Sequence, residues 1–307
     1  MKKVVFLIIA LISTISLHAL GDLHIFDVNN KDGAITPSKI EEAFVKHGFT
    51  IGLNNEMNTP FKKQFKETAF KVYSLLTVYH TKLARVLIKK YSHAGVFTPM
   101  GIGIYQGLNE NTLHVSVLTS DAQAKILGVE DKKILKDIEA EVLKAIKIAL
   151  PNAKHRYSED SLKEHRNLIT VYELKLGNEE WPDVKEQVEM NLEAGFDPFG
   201  FVMPGFLDLN EVLTQEETVP SSFDFYDTYS ICKLKVIYTV SKTRPEAAAF
   251  APCTTMVYKK KGENKIVVGF PAVYNWMSSA KVQDKEANDV LMKAQKNFES
   301  ILKDITE

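Results

Sequence analysis

Between Phe70 and His80 apolar side chains fill both alternating sets of positions, with Val72, Ser74, Leu76 and Val78 on one face and Tyr73, Leu75, Thr77 and Tyr79 on the other. A run that is largely apolar on both faces predicts a central strand covered from two sides. Ahead of it, Ile40, Ala43, Phe44 and His47 share a helical face. Thr36 supplies the cap, Pro37 sits where its missing N–H is harmless, and Gly48 stops the helix. Phe49 to Leu53 reads as a short strand, and a second helix carries Phe61 and Phe65. Beyond the central strand, Leu83, Val86, Leu87 and Tyr91 pattern a short helix. Strands at 99–106 and 112–119 are joined by a Gly107-Leu-Asn-Glu-Asn hairpin. Ile134, Ile138, Val142, Ala145, Ile146 and Ala149 then form the stripe of a long helix.

The landmarks recur, so residues 40–149 and 183–304 read as two copies of one unit. Gly48-Phe49 answers to Gly195-Phe196, Tyr73-Ser74 to Tyr229-Ser230, Pro99 to Pro252 and Tyr105 to Tyr258, at offsets of 147, 156 and 153 positions. A shared order of landmarks is harder to reach by chance than a single matching dipeptide. In the second copy, Tyr229 to Val240 and Pro252 to Lys259 are the expected strands, and Val290, Leu291, Ala294, Phe298, Ile301 and Leu302 the closing helix. The predicted fold is α+β: two tandem copies of a curved, mainly antiparallel sheet packed against helices. The expected boundaries are a signal peptide at 1–19, a polar lead-in at 20–36 and a first domain at 37–150. A linker at 151–182 follows, polar through Arg166 and carrying an extra strand at Leu168–Leu176 with no evident twin, and the second domain occupies 183–307.

Lys2 and Lys3 followed by the uncharged, mostly apolar stretch Val4–Leu17 and the small Ala19 read as an export signal. The stretch is shorter than the ~20 residues of a membrane-spanning helix, and no later segment is apolar for as long. The expectation is a periplasmic protein with no membrane span once the signal is removed; an uncleaved anchor is the rival reading. Loss of residues 1–19 removes two lysines and no acids, moving the net charge from −1 to −3. That balance leaves no basic footprint for nucleic acid.

Candidate chemistry is sparse. Cys232 and Cys253 are the only cysteines. In an exported protein an even pair fits a disulfide, and two buried thiols or a thiol pair with a metal or redox role are the other readings. Asn30, Asp32 and Ile35 around Gly33 resemble a calcium loop, but Val28 and Lys39 fall where carboxylates belong, so a turn before a capped helix is the better reading. The histidines lack the spacing of a zinc helix or a haem attachment site. No metal site, no cofactor and no catalytic residue are expected. Gly101 and Gly103 share one sheet face, where they permit close approach of a helix or a ligand. Tyr73, Tyr79, Tyr229 and Tyr238 are the aromatics placed to line a cleft, with ordinary core packing as the alternative.

Phe250-Ala-Pro252-Cys253 followed by Tyr258, in its setting of a helix, a strand, a short helix, a strand and a hairpin, resembles the bacterial family known as domain of unknown function 302. The first copy departs from it, with Pro99-Met100 in place of the Pro-Cys pair. The resemblance implies a compact α+β unit and no assigned activity, so no site residue is carried over. The leading expectation is a non-catalytic periplasmic module, a fused pseudo-dimer that binds a small apolar ligand or a protein partner. The alternative is a thiol- or metal-dependent redox protein centred on Cys232 and Cys253.

Overall fold

The computed structural model describes residues 21–163, 168–215 and 220–307; the expected signal segment lies outside them. The first half runs β1 (Leu23–Asn29), α1 (Pro37–Lys46), β2 (Thr50–Glu56), α2 (Asn58–Phe65), β3 (Phe70–Tyr79) and α3 (Thr81–Lys90). A 3-10 turn (Ser92–Phe97), β4 (Met100–Gly107), β5 (Thr112–Leu118), α4 (Ser120–Leu127) and α5 (Lys133–Ala149) complete it, and β6 (Lys154–Tyr157) follows. The second half runs β7 (Ile169–Lys175), α6 (Trp181–Phe196), a short 3-10 turn (Asp197–Phe199), β8 (Val202–Asp208), α7 (Leu209–Thr214), β9 (Phe223–Cys232) and α8 (Leu234–Ser241). It ends with a 3-10 turn (Pro245–Phe250), β10 (Cys253–Lys260), β11 (Lys265–Pro271), α9 (Tyr274–Ser279) and α10 (Lys285–Thr306).

Two antiparallel sheets result, ordered β2-β3-β4-β5-β1-β6 and β8-β9-β10-β11-β7. The fold is α+β, as the sequence pattern predicts. Thr36 caps α1, its hydroxyl accepting from the Lys39 N–H at 3.3 Å, and Pro37 opens the helix. The Asn30 side chain closes the preceding turn, accepting from the Ile35 N–H at 2.8 Å and donating to the Ile35 carbonyl at 3.0 Å. Lys39 Nζ donates to the Ala34 carbonyl at 2.7 Å, occupying the place a calcium loop gives to a carboxylate.

The structure revises four expectations. Residues 20–36 are not merely a lead-in: β1 lies inside the first sheet between β5 and β6 and is the positional twin of β7, which pairs with β11. The interspersed polar residues disguise it, yet His24 and Asp22 are buried. His24 bonds His155 and Glu139, each at 2.9 Å, and Asp22 accepts from Ser279 Oγ at 2.6 Å. A buried polar group with partners is no obstacle to a central strand. The segment 151–166 is not wholly linker, because its β6 pairs with β1.

Third, residues 234–241 are helical rather than a continuation of the strand. Their Val, Ile, Tyr and Thr favour a strand locally, but Val236 through Ser241 are buried, and packing overrides propensity. Fourth, the twin of Gly48-Phe49 is Gly200-Phe201, not Gly195-Phe196, which lies inside α6. Gly48 and Gly200 are left-handed (φ 84° and 71°), and the next Phe N–H returns to Phe44 and Phe196 carbonyls at 3.0 and 3.1 Å.

From β3 onward the second half follows the first 153 positions later: β3 with β9, the two longer 3-10 turns, β4 with β10, and β5 with β11. The halves meet reciprocally. Pro245–Phe250 packs on β4 and β5, while Ser92–Phe97 packs on β10 and β11. Tyr73 Oη donates to the Pro245 carbonyl at 3.4 Å, and its counterpart Tyr226 donates to the Ser92 carbonyl at 2.6 Å. Gly101 and Gly103 serve the close approach expected of them, and what approaches is the other half. A Cβ on Gly101 would lie 2.7 Å from the Ala249 carbonyl, and one on Gly103 2.5 Å from Ala248 Cβ.

Candidate functional site

Each half holds a cavity beside the end of its third strand in sequence order, counting from β1 or β7. In the first half it is walled by Phe49, Tyr79, His80, Met100, Gln123 and Ile138 and measures about 10 Å³. In the second half the corresponding walls are Phe201, Cys232, Lys233, Cys253, Trp276 and Leu291, and the volume is about 50 Å³. Tyr79 and Cys232 each end a strand, and Met100 and Cys253 each begin the next. Two large side chains of the first half are thus thiols in the second, and space opens where they would lie.

The strand register brings the cysteines together. Cys253 pairs across from Ile231, the neighbour of Cys232. Although the strands run antiparallel, the two thiols lie at the same end of the pair, because Cys232 closes β9 and β10 begins at Cys253. Both are free thiols. Burial pushes both thiols up, Cys232 further because Cys253 stands beside it, and Cys253 to about 12. At neutral pH both hold their protons and lack the thiolate that redox exchange requires.

Lys233 marks the entrance. It is half-buried, and its Nζ lies 4.9 Å from the centre of the Phe201 ring. Burial, and then repulsion from Lys293, lowers its pKa. Cys232 and Lys233 also border an open groove of about 660 Å³ that runs between the halves past Met57, Gln64, Phe199 and Pro204. Inside the cavity wall, the Trp276 indole N–H is buried with no acceptor among the described residues.

The four tyrosines do not converge on one cleft. Tyr73 is buried where the halves meet, against Phe61 and Phe70. Tyr79, half-buried, lines the first-half cavity. Tyr238, on α8 rather than on a strand, stacks on Phe65 at 3.9 Å between ring centres and donates to Glu67 Oε1 at 2.7 Å. Tyr229 lies on the outer side of the second sheet, where its hydroxyl donates to Glu189. There Lys185, Glu189 and Tyr229 line an open cleft of about 570 Å³. Lys185 pairs with Asp227 at 2.9 Å and Glu189 at 2.8 Å, and burial raises Asp227 to about 6 despite that lysine.

Sequence reasoning missed Lys233, Trp276, Lys185 and Asp227. Asp227 alone left a signal, as an acid in the middle of the largely apolar run Phe223–Cys232, which also carries Asp224 near its start. Among the described residues no three or more His, Cys, Asp or Glu side chains gather as a metal ion requires, and no helix is long and apolar enough to cross a membrane.

Residues 182–305 match the family described as Domain of unknown function DUF302. No curated protein matches the chain. Among solved structures, the crystal structure of uncharacterized conserved protein DUF302 from Bacillus stearothermophilus is similar at 18% identity with a TM-score of 0.37, over 46% of this chain and 100% of that one. The part of the chain that matches the DUF302 family is therefore the half that holds the cysteine-lined cavity.

Proposed function

We propose that this chain is an exported, non-catalytic binding protein, built as two fused copies of one unit, whose second copy holds a small apolar ligand. The observation that carries the reading is the replacement of Tyr79 and Met100 by Cys232 and Cys253 at corresponding positions, which leaves the second cavity open and the first filled. Apolar walls with few polar groups are the usual lining of a ligand site. The common order of elements and the reciprocal Tyr73 and Tyr226 contacts support a fused pseudo-dimer. The charge and apolar pattern of residues 1–19 supports export to the periplasm. Two protonated thiols argue against the redox alternative.

Native mass spectrometry of protein isolated from its own host tests this, with Cys232→Tyr/Cys253→Met as the filled control and Cys253→Met alone if the double variant does not fold. Wild-type protein should retain a small-molecule adduct that the filled variant loses. An adduct equally present in both, or wild-type protein that carries none and takes up no 1-pentanol, sinks the reading.

A further inference from the structure

We infer that the ligand of the second-half cavity is a short aliphatic carboxylate, its tail inside and its carboxylate held by Lys233 at the entrance. This rests on the binding reading above and goes beyond it by naming the chemical class.

Three observations point the same way. Lys233 lines both the cavity and the groove outside it, so it stands where a ligand would pass from water to apolar walls. Among the described residues it has no carboxylate within ion-pair distance, whereas its neighbour Lys235 is paired with Glu286 at 3.1 Å. The charge that acts on it is another cation, Lys293, which is exposed. A half-buried ammonium that has the Phe201 ring beside it but no anion is unfavourable in the empty protein. An arriving anion would remove that penalty, and the hydrogen bond it accepts would be charge-assisted. The corresponding position in the first half is His80, beside a cavity with no room for a ligand.

Size fixes the tail. At roughly 10–15 Å³ of such space per water-sized group, the cavity accommodates about four non-hydrogen atoms. Pentanoate meets that requirement, with four carbons inside and the carboxylate at Lys233. The mouth selects against a cationic ligand, which Lys233 repels.

The test compares pentanoate with 1-pentanol, which has a similar tail and no charge. The chain has two tryptophans, so its two indole N–H resonances are resolved by NMR, and Trp181→Phe assigns Trp276. Titration should shift the Trp276 signal with both compounds, pentanoate binding at least about tenfold more tightly, as one charge-assisted hydrogen bond provides. Lys233→Met should abolish that preference while leaving 1-pentanol binding unchanged, and Lys233→Arg should keep most of it. Equal affinities in wild-type protein, or a preference that survives Lys233→Met, overturn the carboxylate assignment and leave the apolar cavity standing. If neither compound shifts Trp276, the binding reading falls with it.

Discussion

Replacing Tyr226 by phenylalanine removes one oxygen atom on which two backbone groups of the other half depend. Tyr226 is fully buried; its hydroxyl donates to the Ser92 carbonyl at 2.6 Å and accepts from the Gly95 N–H at 3.1 Å. Without it the buried Gly95 N–H loses its acceptor and the carbonyl of half-buried Ser92 loses its donor. Each buried unsatisfied group costs about 1–3 kcal/mol, and the loss of the hydroxyl's own desolvation offsets part of this, so Tyr226→Phe should cost about 2–4 kcal/mol. Tyr73→Phe is the matched control at the corresponding position. Its hydroxyl makes a single long bond of 3.4 Å to the Pro245 carbonyl, and its loss should cost no more than about 1 kcal/mol. Urea titrations followed by circular dichroism, with the slope held in common, give the two values. Equal costs, or a larger one for Tyr73→Phe, would refute the claim that contact between the halves rests more heavily on the second-half tyrosine.

Three further outcomes follow from burial. Ellman's reagent should find neither Cys232 nor Cys253 reactive in native protein at neutral pH and both reactive after denaturation without reductant; fast native labelling of either would place it outside the cavity wall. Because the folded state raises Cys253 from 9.0 to about 12, its contribution to stability is complete below about pH 9 and is lost as the pH climbs toward 12. Cys253→Ala should therefore flatten the alkaline fall of the urea midpoint. Asp227, raised from 3.8 to about 6 by burial, contributes fully below about pH 3.8 and loses its contribution as the pH rises through 6. Asp227→Asn, uncharged throughout, should show a shallower change between pH 4 and 6, and an unchanged profile would remove Asp227 as its source.

Periodicity revealed the elements whose polar side faces water or whose two faces are both apolar. The helix α5 shows its stripe, β3 its doubly apolar run, and α1 its Thr-Pro start, and each stands where the pattern places it. It failed where burial is complete and the polar groups are satisfied internally. β1 reads as polar because His24 and Asp27 interrupt it and Asp22 precedes it, although His24 and Asp22 find partners as far away as His155 and Ser279. α8 reads as strand because a helix buried through Val236–Ser241 has little polar face to reveal its period. The walls of the cavity come from elements as distant as Phe201 and Leu291, and no local signal joins them.

The register of β9 against β3 carries the largest consequence. Tyr73-Ser74 has an identical dipeptide in Tyr229-Ser230, and matching them aligns β9 three positions late; the strand boundaries instead set Tyr226 against Tyr73. Side chains alternate across a strand with a period of two, so an odd slip moves every residue to the opposite face. The slip assigns Tyr229 to the face where the halves meet, while its side chain lies on the outer face with Val188, Leu192 and Ile231. It also sets Cys232 against Leu76, two residues of moderate size, and hides the exchange with Tyr79 that opens the cavity. With the correct register both cysteines stand opposite the largest side chains that line the first-half cavity on these strands, Tyr79 and Met100. The candidate site was thus encoded as a difference between the halves, visible only once β3 and β9 were aligned by structure.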